Sequence, residues 1–293
     1  MDHQHLVYQE SGKVNSAKFL IAIIAAVAIS ILLGYVYVLI MMFIPIIYLN
    51  VLITIGLGIL LGWIARAATR FSHNRNKRSQ LLFAVLLGVL VTYFHYVAYL
   101  LYMMDGAVPS LSLYLSQLPW IVMEPGSFFS FLSVVNELGP WSIFGLTFSG
   151  VLLALVWLLE ALIIIGAPVL TVFGSDPYPY AESLGKWYPK FTLSEEFASI
   201  SGTTSLINDL QADPLKTIEE LGMGTATRYS KIHVFYLPKA KDNYLTFEKV
   251  TIEDAEKGNK DSVLVLNNYR IDKATAAKIL EVHRNEREKL AVF

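Results

Sequence analysis

The chain has 293 residues, 55% of them hydrophobic and only 16% charged, with a net charge of −1 and a mean hydropathy of +0.50. That is too apolar for an ordinary soluble domain, and the polar residues are unevenly spread: roughly the first 175 residues are apolar blocks, whereas roughly the last 110 read as a soluble domain. The absence of cysteine excludes disulfides, cysteine zinc sites and thiol nucleophiles, and nothing in the charge pattern points to nucleic acid.

In chain order, MDHQHLVYQESGKVNSAK is polar, and the apolar run behind it is far longer than the about 7–15 residues of a signal-peptide core. Residues 1–18 are therefore expected to form a retained tail. From Phe19 to Ala65 there is no Asp, Glu, Lys or Arg over 47 residues. One helix of that length would extend about 70 Å, more than twice a hydrocarbon core of about 30 Å. Two antiparallel spans fit instead, over 19–43 and 46–64, with Pro45 of IPIIYLN at the turn between them.

Small residues let membrane helices approach closely. The first span carries Ala22, Ala26, Ser30 and Gly34 at four-residue spacing, and the second carries Thr54, Gly58 and Gly62. The two stripes are expected to close on each other as a hairpin, although the same chemistry suits a contact between copies of the chain.

The next segment, RAATRFSHNRNKRS, holds Arg66, Arg70, Arg75, Lys77 and Arg78, and no Lys or Arg follows from Ser79 to Gly185. By the positive-inside rule the basic segment is cytoplasmic, and so are both termini. The same five cations invite a second reading as a contact for anionic lipid headgroups. Further spans are expected over 81–103 and 141–165. Between them, the outer loop 104–140 is apolar but broken by four prolines, and reads as an interfacial helix, a re-entrant segment or a loop.

Ionisable residues within spans are functional candidates because burying their charge is costly. Glu160 lies in WLLEALIIIG. With Trp141 at the outer interface it falls about 28 Å inward, near the cytoplasmic surface, and is expected to meet solvent or the basic segment. Thr92, His95, Tyr96 and Tyr99 form a polar aromatic stripe in the outer half of the third span. The expected depths separate His95 from Glu160, so no coupled pair is expected.

Residues 174–192, rich in Pro and aromatics, read as an interfacial elbow. Over 193–293 the patterning gives short helices at LSEEFASI, SLINDL and LKTIEELG, then strands at SKIHVFYLP, NYLTFEKVTIE and SVLVLNNYRI, and a last helix capped by Asp272. This is a small α+β domain with an antiparallel sheet. GMGTAT lacks the Gly-Lys-Ser/Thr ending of a phosphate loop, and His233 and His283 have no partners at ligand spacing. No catalytic set, metal site or cofactor site is expected.

IPIIYLN, WLLEALIIIG and PYPYAESLGKWYP together resemble a group of bacterial multi-pass inner-membrane proteins with a cytosolic C-terminal domain. The resemblance implies a bacterial cytoplasmic membrane and brings no activity, and without cysteines no metal site carries over. The resulting expectation is a four-helix membrane protein, with both termini inside, followed by an α+β domain. Its expected role is a non-enzymatic scaffold or assembly subunit that docks protein partners through the tail. The alternative is an oligomeric channel or transporter subunit using the His95/Tyr99 stripe and Glu160.

Overall fold

A computed structural model describes residues 4–44, 46–143, 146–254 and 259–283. The chain divides into two compact units, one of Ser11–Ser175 and the other of Asp176–Phe293 together with Met1–Glu10.

The first unit contains α1 (Ser16–Phe43), α2 (Ile47–Phe71), α3 (Lys77–Asp105), α4 (Leu111–Met123), α5 (Pro125–Leu138), the short strands β1 (Trp141–Ile143) and β2 (Leu146–Phe148), and α6 (Gly150–Phe173). Four of these helices, α1, α2, α3 and α6, are long and apolar enough to cross a membrane. Pro45, expected at the first turn, lies outside the described residues. Asn15 and Asn76 cap α1 and α3, each side-chain oxygen accepting a backbone N–H three residues on, from Lys18 at 3.1 Å and Ser79 at 3.1 Å. The second helix runs past Ile64 to Phe71, so Arg66 and Arg70 sit on helix rather than in a loop.

The last long helix differs from the expected 141–165. Trp141 pairs with Phe148 in an antiparallel ribbon, and the helix starts only at Gly150. It then continues through Pro168 to Phe173. Gly139 in the left-handed region, φ 65°, ends α5 and turns the chain into the ribbon; a Cβ there would also stand 2.9 Å from the Phe148 carbonyl.

The small-residue stripes also pack differently from the expected hairpin. A Cβ added to Gly34 would lie 2.7 Å from the backbone nitrogen of His95, so α1 presses on α3. Equivalent atoms at Gly58 and Gly62 would lie 2.6 Å from Ala167 Cβ and 2.5 Å from Thr171 Oγ1, so α2 presses on α6. Gly88 brings α3 equally close to Ile165 of α6. Each stripe therefore meets a helix distant in sequence. The physical reason is that backbone can approach only where the opposing face is itself flat, and α3 and α6 provide that face.

Helices α4 and α5 replace a plain loop, meeting at a bend of 111°. The buried Tyr114 hydroxyl shares its proton between the carbonyl oxygens of Ile31 at 3.0 Å and Phe94 at 3.3 Å. Tyr93 donates to the Ile121 carbonyl at 3.1 Å. Ile31 and Phe94 lie roughly midway along their helices, so α4 enters the bundle rather than lying across its end.

The second unit contains β3 (Tyr180–Ala181), β4 (Lys186–Trp187), β5 (Lys190–Thr192), α7 (Thr203–Ala212), α8 (Pro214–Glu220), β6 (Arg228–Phe235), β7 (Asp242–Asp254), β8 (Asn259–Asp272) and α9 (Lys273–His283). Strands β5, β6, β7 and β8 form one antiparallel sheet in that order. The elbow is thus part of this unit: it supplies the β3–β4 hairpin and the fourth strand. LSEEFASI is not a helix. Phe197 exchanges backbone hydrogen bonds with Ser230, at 3.0 and 2.7 Å, extending the edge along β6. Its apolar spacing of Leu193, Phe197 and Ile200 suits a helix, but those side chains reach the same core from an irregular edge. That core joins Ile218, Ile232, Leu245, Phe247 and Ile279, each fully buried. Asp272 caps α9, accepting from Ala274 N at 2.8 Å and Thr275 N at 3.0 Å. The expected continuation of α9 beyond His283 lies outside the described residues. The expected N-terminal tail is not separate either, since Val7 bridges Tyr269 and Tyr8 N donates to the Asn268 carbonyl at 2.9 Å.

Candidate functional site

The starting of α6 at Gly150 moves Glu160 from a helix end to its interior. Ten residues into the helix, it sits about 15 Å from one end and about 20 Å from the other. Tyr96 lies nine residues, about 14 Å, from the end of α3 at Asp105, which brings it to the same level. The expected separation of His95 from Glu160 is overturned: Nε2 of His95 is 3.7 Å from Glu160 Oε1.

Three helices clasp the carboxylate. Tyr37 of α1 is hydrogen-bonded to Oε1 at 2.6 Å, and Tyr96 of α3 donates to Oε2 at 3.0 Å. The Tyr37 hydroxyl also meets Thr54 Oγ1 of α2 at 2.7 Å, and Thr54 donates to the Asn50 carbonyl at 2.8 Å. The imidazole of His95 stands edge-on to the Tyr37 ring at 4.9 Å and against Tyr96 at 4.2 Å. Trp157, one turn before Glu160, packs edge-on to Tyr96 and Tyr99. All four long helices therefore contribute a side chain to one polar knot, with the Glu160 side chain only 20% exposed.

Of the expected stripe, His95 and Tyr96 face Glu160 and Tyr99 forms part of the aromatic wall. Thr92 does not join, because its hydroxyl bonds back to the Gly88 carbonyl at 2.8 Å. Tyr37 carries no sequence signal as a site residue, and the spacing of Thr54 points to packing alone. The available clue was position: Tyr37 lies one turn from Gly34, so the glycine that draws α1 against His95 also delivers Tyr37 to the carboxylate. Ser30 is buried and Asn50 half-buried, and Ser30 Oγ, Asn50 Oδ1 and His95 Nδ1 are buried atoms without a hydrogen-bond partner.

The five basic residues separate by role. Lys77 caps the far end of α6, donating to the carbonyl oxygens of Val172 at 2.6 Å and Ser175 at 2.8 Å, where the helix dipole is negative. Arg75 is buried and bonds the His73 carbonyl and Ser11 Oγ. Lys18 Nζ lies 3.2 Å from His73 Nε2, and burial together with the Lys18 and Arg75 charges lowers the His73 pKa. Arg66, Arg70 and Arg78 are exposed. An anionic headgroup would thus meet three of the five cations rather than a cluster of five.

The second unit brings together residues that sequence spacing left apart. His233 Nε2 lies 2.9 Å from Glu248 Oε2, and its Nδ1 lies 2.9 Å from Thr192 Oγ1. These come from three adjacent strands, with Thr192 directly opposite His233 in the register. Burial holds the His233 pKa below the ordinary histidine range, against the pull of Glu248. Burial alone would raise Glu248, but hydrogen bonds to His233 and Ser262 bring it below the usual carboxylate range.

No protein-family model, curated protein or solved structure matches the chain.

Proposed function

We propose that the chain is a multi-pass, non-enzymatic protein of a bacterial cytoplasmic membrane, with both termini inside, and that it acts as a channel or transporter subunit for a proton or small cation. The observation that carries this reading is the clasped carboxylate of Glu160, held at mid-depth by Tyr37 and Tyr96 beside His95. Neither 19–65 nor 79–185 contains a Lys or Arg, so none of the four spans brings a permanent cation to it. A carboxylate in hydrocarbon without a fixed counter-charge needs a proton or a bound cation to be tolerated, which makes it a loading site. The inside placement of the termini follows from the Lys and Arg bias around Arg66 to Arg78. Four spans are few for a transport pathway within one chain, so the reading includes self-association or a membrane partner.

The test is flux. Purified protein in vesicles carrying a pH-sensitive dye should dissipate an imposed proton or cation gradient, Glu160→Gln should abolish that flux, and Glu220→Gln in the second unit should retain it. Unchanged flux in Glu160→Gln overturns the reading.

A scaffold role has its own support in β8, an edge strand covered by Val7 and Tyr8 at Asn268 and Tyr269 but carrying Val263 and Leu264 57% and 36% exposed farther along. An open edge with apolar side chains can accept a strand from a protein partner. Copurification of a stoichiometric partner that is lost on Val263→Lys, with no flux in any preparation, would favour this second role.

A further inference from the structure

We propose that Glu160 is loaded with a proton rather than a metal cation, standing as a neutral carboxylic acid at the head of a hydrogen-bonded chain that exchanges protons with the Asn50 end of the bundle. This deepens the transport reading and rests on it.

Counting donors is what distinguishes the two states. Four contacts surround the group: Tyr37 to Glu160 at 2.6 Å, Tyr37 to Thr54 at 2.7 Å, Thr54 to the Asn50 carbonyl at 2.8 Å, and Tyr96 to Glu160 at 3.0 Å. A hydroxyl donates once, and a carboxylate only accepts. With Glu160 ionised, Tyr37, Thr54 and Tyr96 supply three protons for four contacts, so one short contact holds two oxygens and no hydrogen. With Glu160 protonated on Oε1, the acid donates to Tyr37, Tyr37 to Thr54 and Thr54 to Asn50, while Tyr96 donates to Oε2. All four contacts are then bonds, every one running in the same direction along the chain.

The charged and titratable groups around the carboxylate agree with this state. Tyr37 faces it from α1, Thr54 stands behind Tyr37 on α2, and His95, Tyr96 and Tyr99 face it from α3. Trp157 flanks it on α6. Among the described residues around it, only His95 could become a counter-cation. An imidazolium carries an N–H on both nitrogens, and although the Thr92 carbonyl lies near the ring, Nδ1 has no partner in hydrogen-bond geometry. The Nε2 of His95 is 3.7 Å from the carboxylate, too far for a hydrogen bond.

The route is one-sided. Toward the Asn50 end of α2 the path is polar from Tyr37 through Thr54. Toward the other end, Val91, Leu87 and Ala84 of α3, Ile164 of α6 and Leu61 of α2 are all 0% exposed. They form an apolar plug about two helical turns deep. In exchange, water at the Asn50 end takes the Thr54 proton while that of Tyr37 passes to Thr54 and that of Glu160 passes to Tyr37. The products are one hydronium ion and one carboxylate, and reprotonation reverses each transfer.

Infrared spectroscopy of the full chain in lipid nanodiscs at neutral pH tests this, the protonated state in the unsubstituted chain and its assignment and route in variants. Carbon-13 labelling of glutamate side-chain carboxyls should move a carboxylic-acid carbonyl band, and the band should vanish in Glu160→Gln and shift in Tyr37→Phe. In heavy water its exchange should slow at least several-fold in Thr54→Val. A wild-type spectrum containing only carboxylate bands overturns the protonated state. A band that disappears when sodium or potassium chloride is added also overturns it in favour of a metal cation, while leaving the transport reading intact. Exchange unchanged in Thr54→Val overturns the route. Flux lost in Glu160→Gln alongside any of these failures separates them from failure of the transport reading itself.

Discussion

Both units of the chain place histidine beside glutamate, the α+β unit twice, at His233–Glu248 and, 3.2 Å apart, at His283–Glu195; of these, His233–Glu248 and His95–Glu160 are built on different principles. In the α+β unit, His233 has both ring nitrogens occupied, by Glu248 and Thr192 at 2.9 Å each. In the helical unit, His95 stands 3.7 Å from Glu160 and its Nδ1 has no partner. The first arrangement is closed and reads as structural: three strands cross-linked on one face of a sheet. The second is open, with the carboxylate bound more tightly by two tyrosines than by its histidine. A satisfied polar cluster fixes a fold, whereas one whose hydrogen bonds depend on its proton count can change state.

The largest expected effect comes from emptying the open cluster. Glu160→Ala removes the hydrogen-bond partner of both the Tyr37 and Tyr96 hydroxyls in an apolar interior and should cost about 1–3 kcal/mol for each group left unsatisfied. Glu160→Gln, which keeps an acceptor and adds donors, should cost much less. Unfolding of the purified protein in mixed detergent micelles measures both. Equal losses would mean that the site is held by shape alone, and that the contrast with His233 is not about hydrogen bonding.

Next comes the glycine that assembles the open cluster. Gly34→Ala places a methyl 2.7 Å from the His95 backbone nitrogen and 2.9 Å from the Phe94 carbonyl carbon, atoms that cannot swing aside. Overpacking of this kind should cost about 1–3 kcal/mol and draw Tyr37 away from Glu160. Gly56→Ala, on the neighbouring helix with open space around it, is the matched control and should be nearly silent. Thermal unfolding of the two variants distinguishes them. Comparable destabilisation would argue against close contact of α1 with α3.

The smallest effect is expected from the closed pair. His233→Gln or Glu248→Gln removes one hydrogen bond to a partly charged partner and should cost about 1–2 kcal/mol. Its pH dependence has a definite sign. Because the folded His233 pKa is depressed, the unfolded chain takes up its proton first. This contribution is complete above the ordinary histidine pKa of about 6.5 and is lost as pH falls through the folded value. The depressed Glu248 carboxyl adds a second loss in the same direction, beginning near the ordinary glutamate pKa of about 4.3. Melting of the sheet signal by circular dichroism should therefore move to lower temperature on acidification below neutrality, and His233→Gln should flatten the upper part of that slope. A wild-type melting temperature that rises on acidification would show that the pair is not closed.

Much of the architecture was legible in the sequence because it follows from one-dimensional quantities. A charge-free run from Phe19 to Ala65 is too long for one crossing, and a change from apolar blocks to alternating strands marks the second unit. The expected span at 141–165 misled because its leading residues are as apolar as a helix, yet Trp141–Ile143 pairs with Leu146–Phe148 before α6 starts at Gly150. Hydropathy does not distinguish a ribbon from a helix of the same composition. That shift of about two and a half turns was enough to move Glu160 from a helix end to the bundle interior.

By itself, then, the sequence determined four long apolar helices, a basic segment from Arg66 to Arg78, an antiparallel α+β unit and the Asp272 cap, because each depends on local composition or spacing. Tertiary structure alone decided that Gly34 faces α3, that Gly58 faces α6, and that Tyr37, Thr54, His95, Tyr96 and Glu160 share one site. Helical periodicity says which residues lie on one face. It does not say which helix that face will meet or at what height, and a polar site built from four helices depends on both.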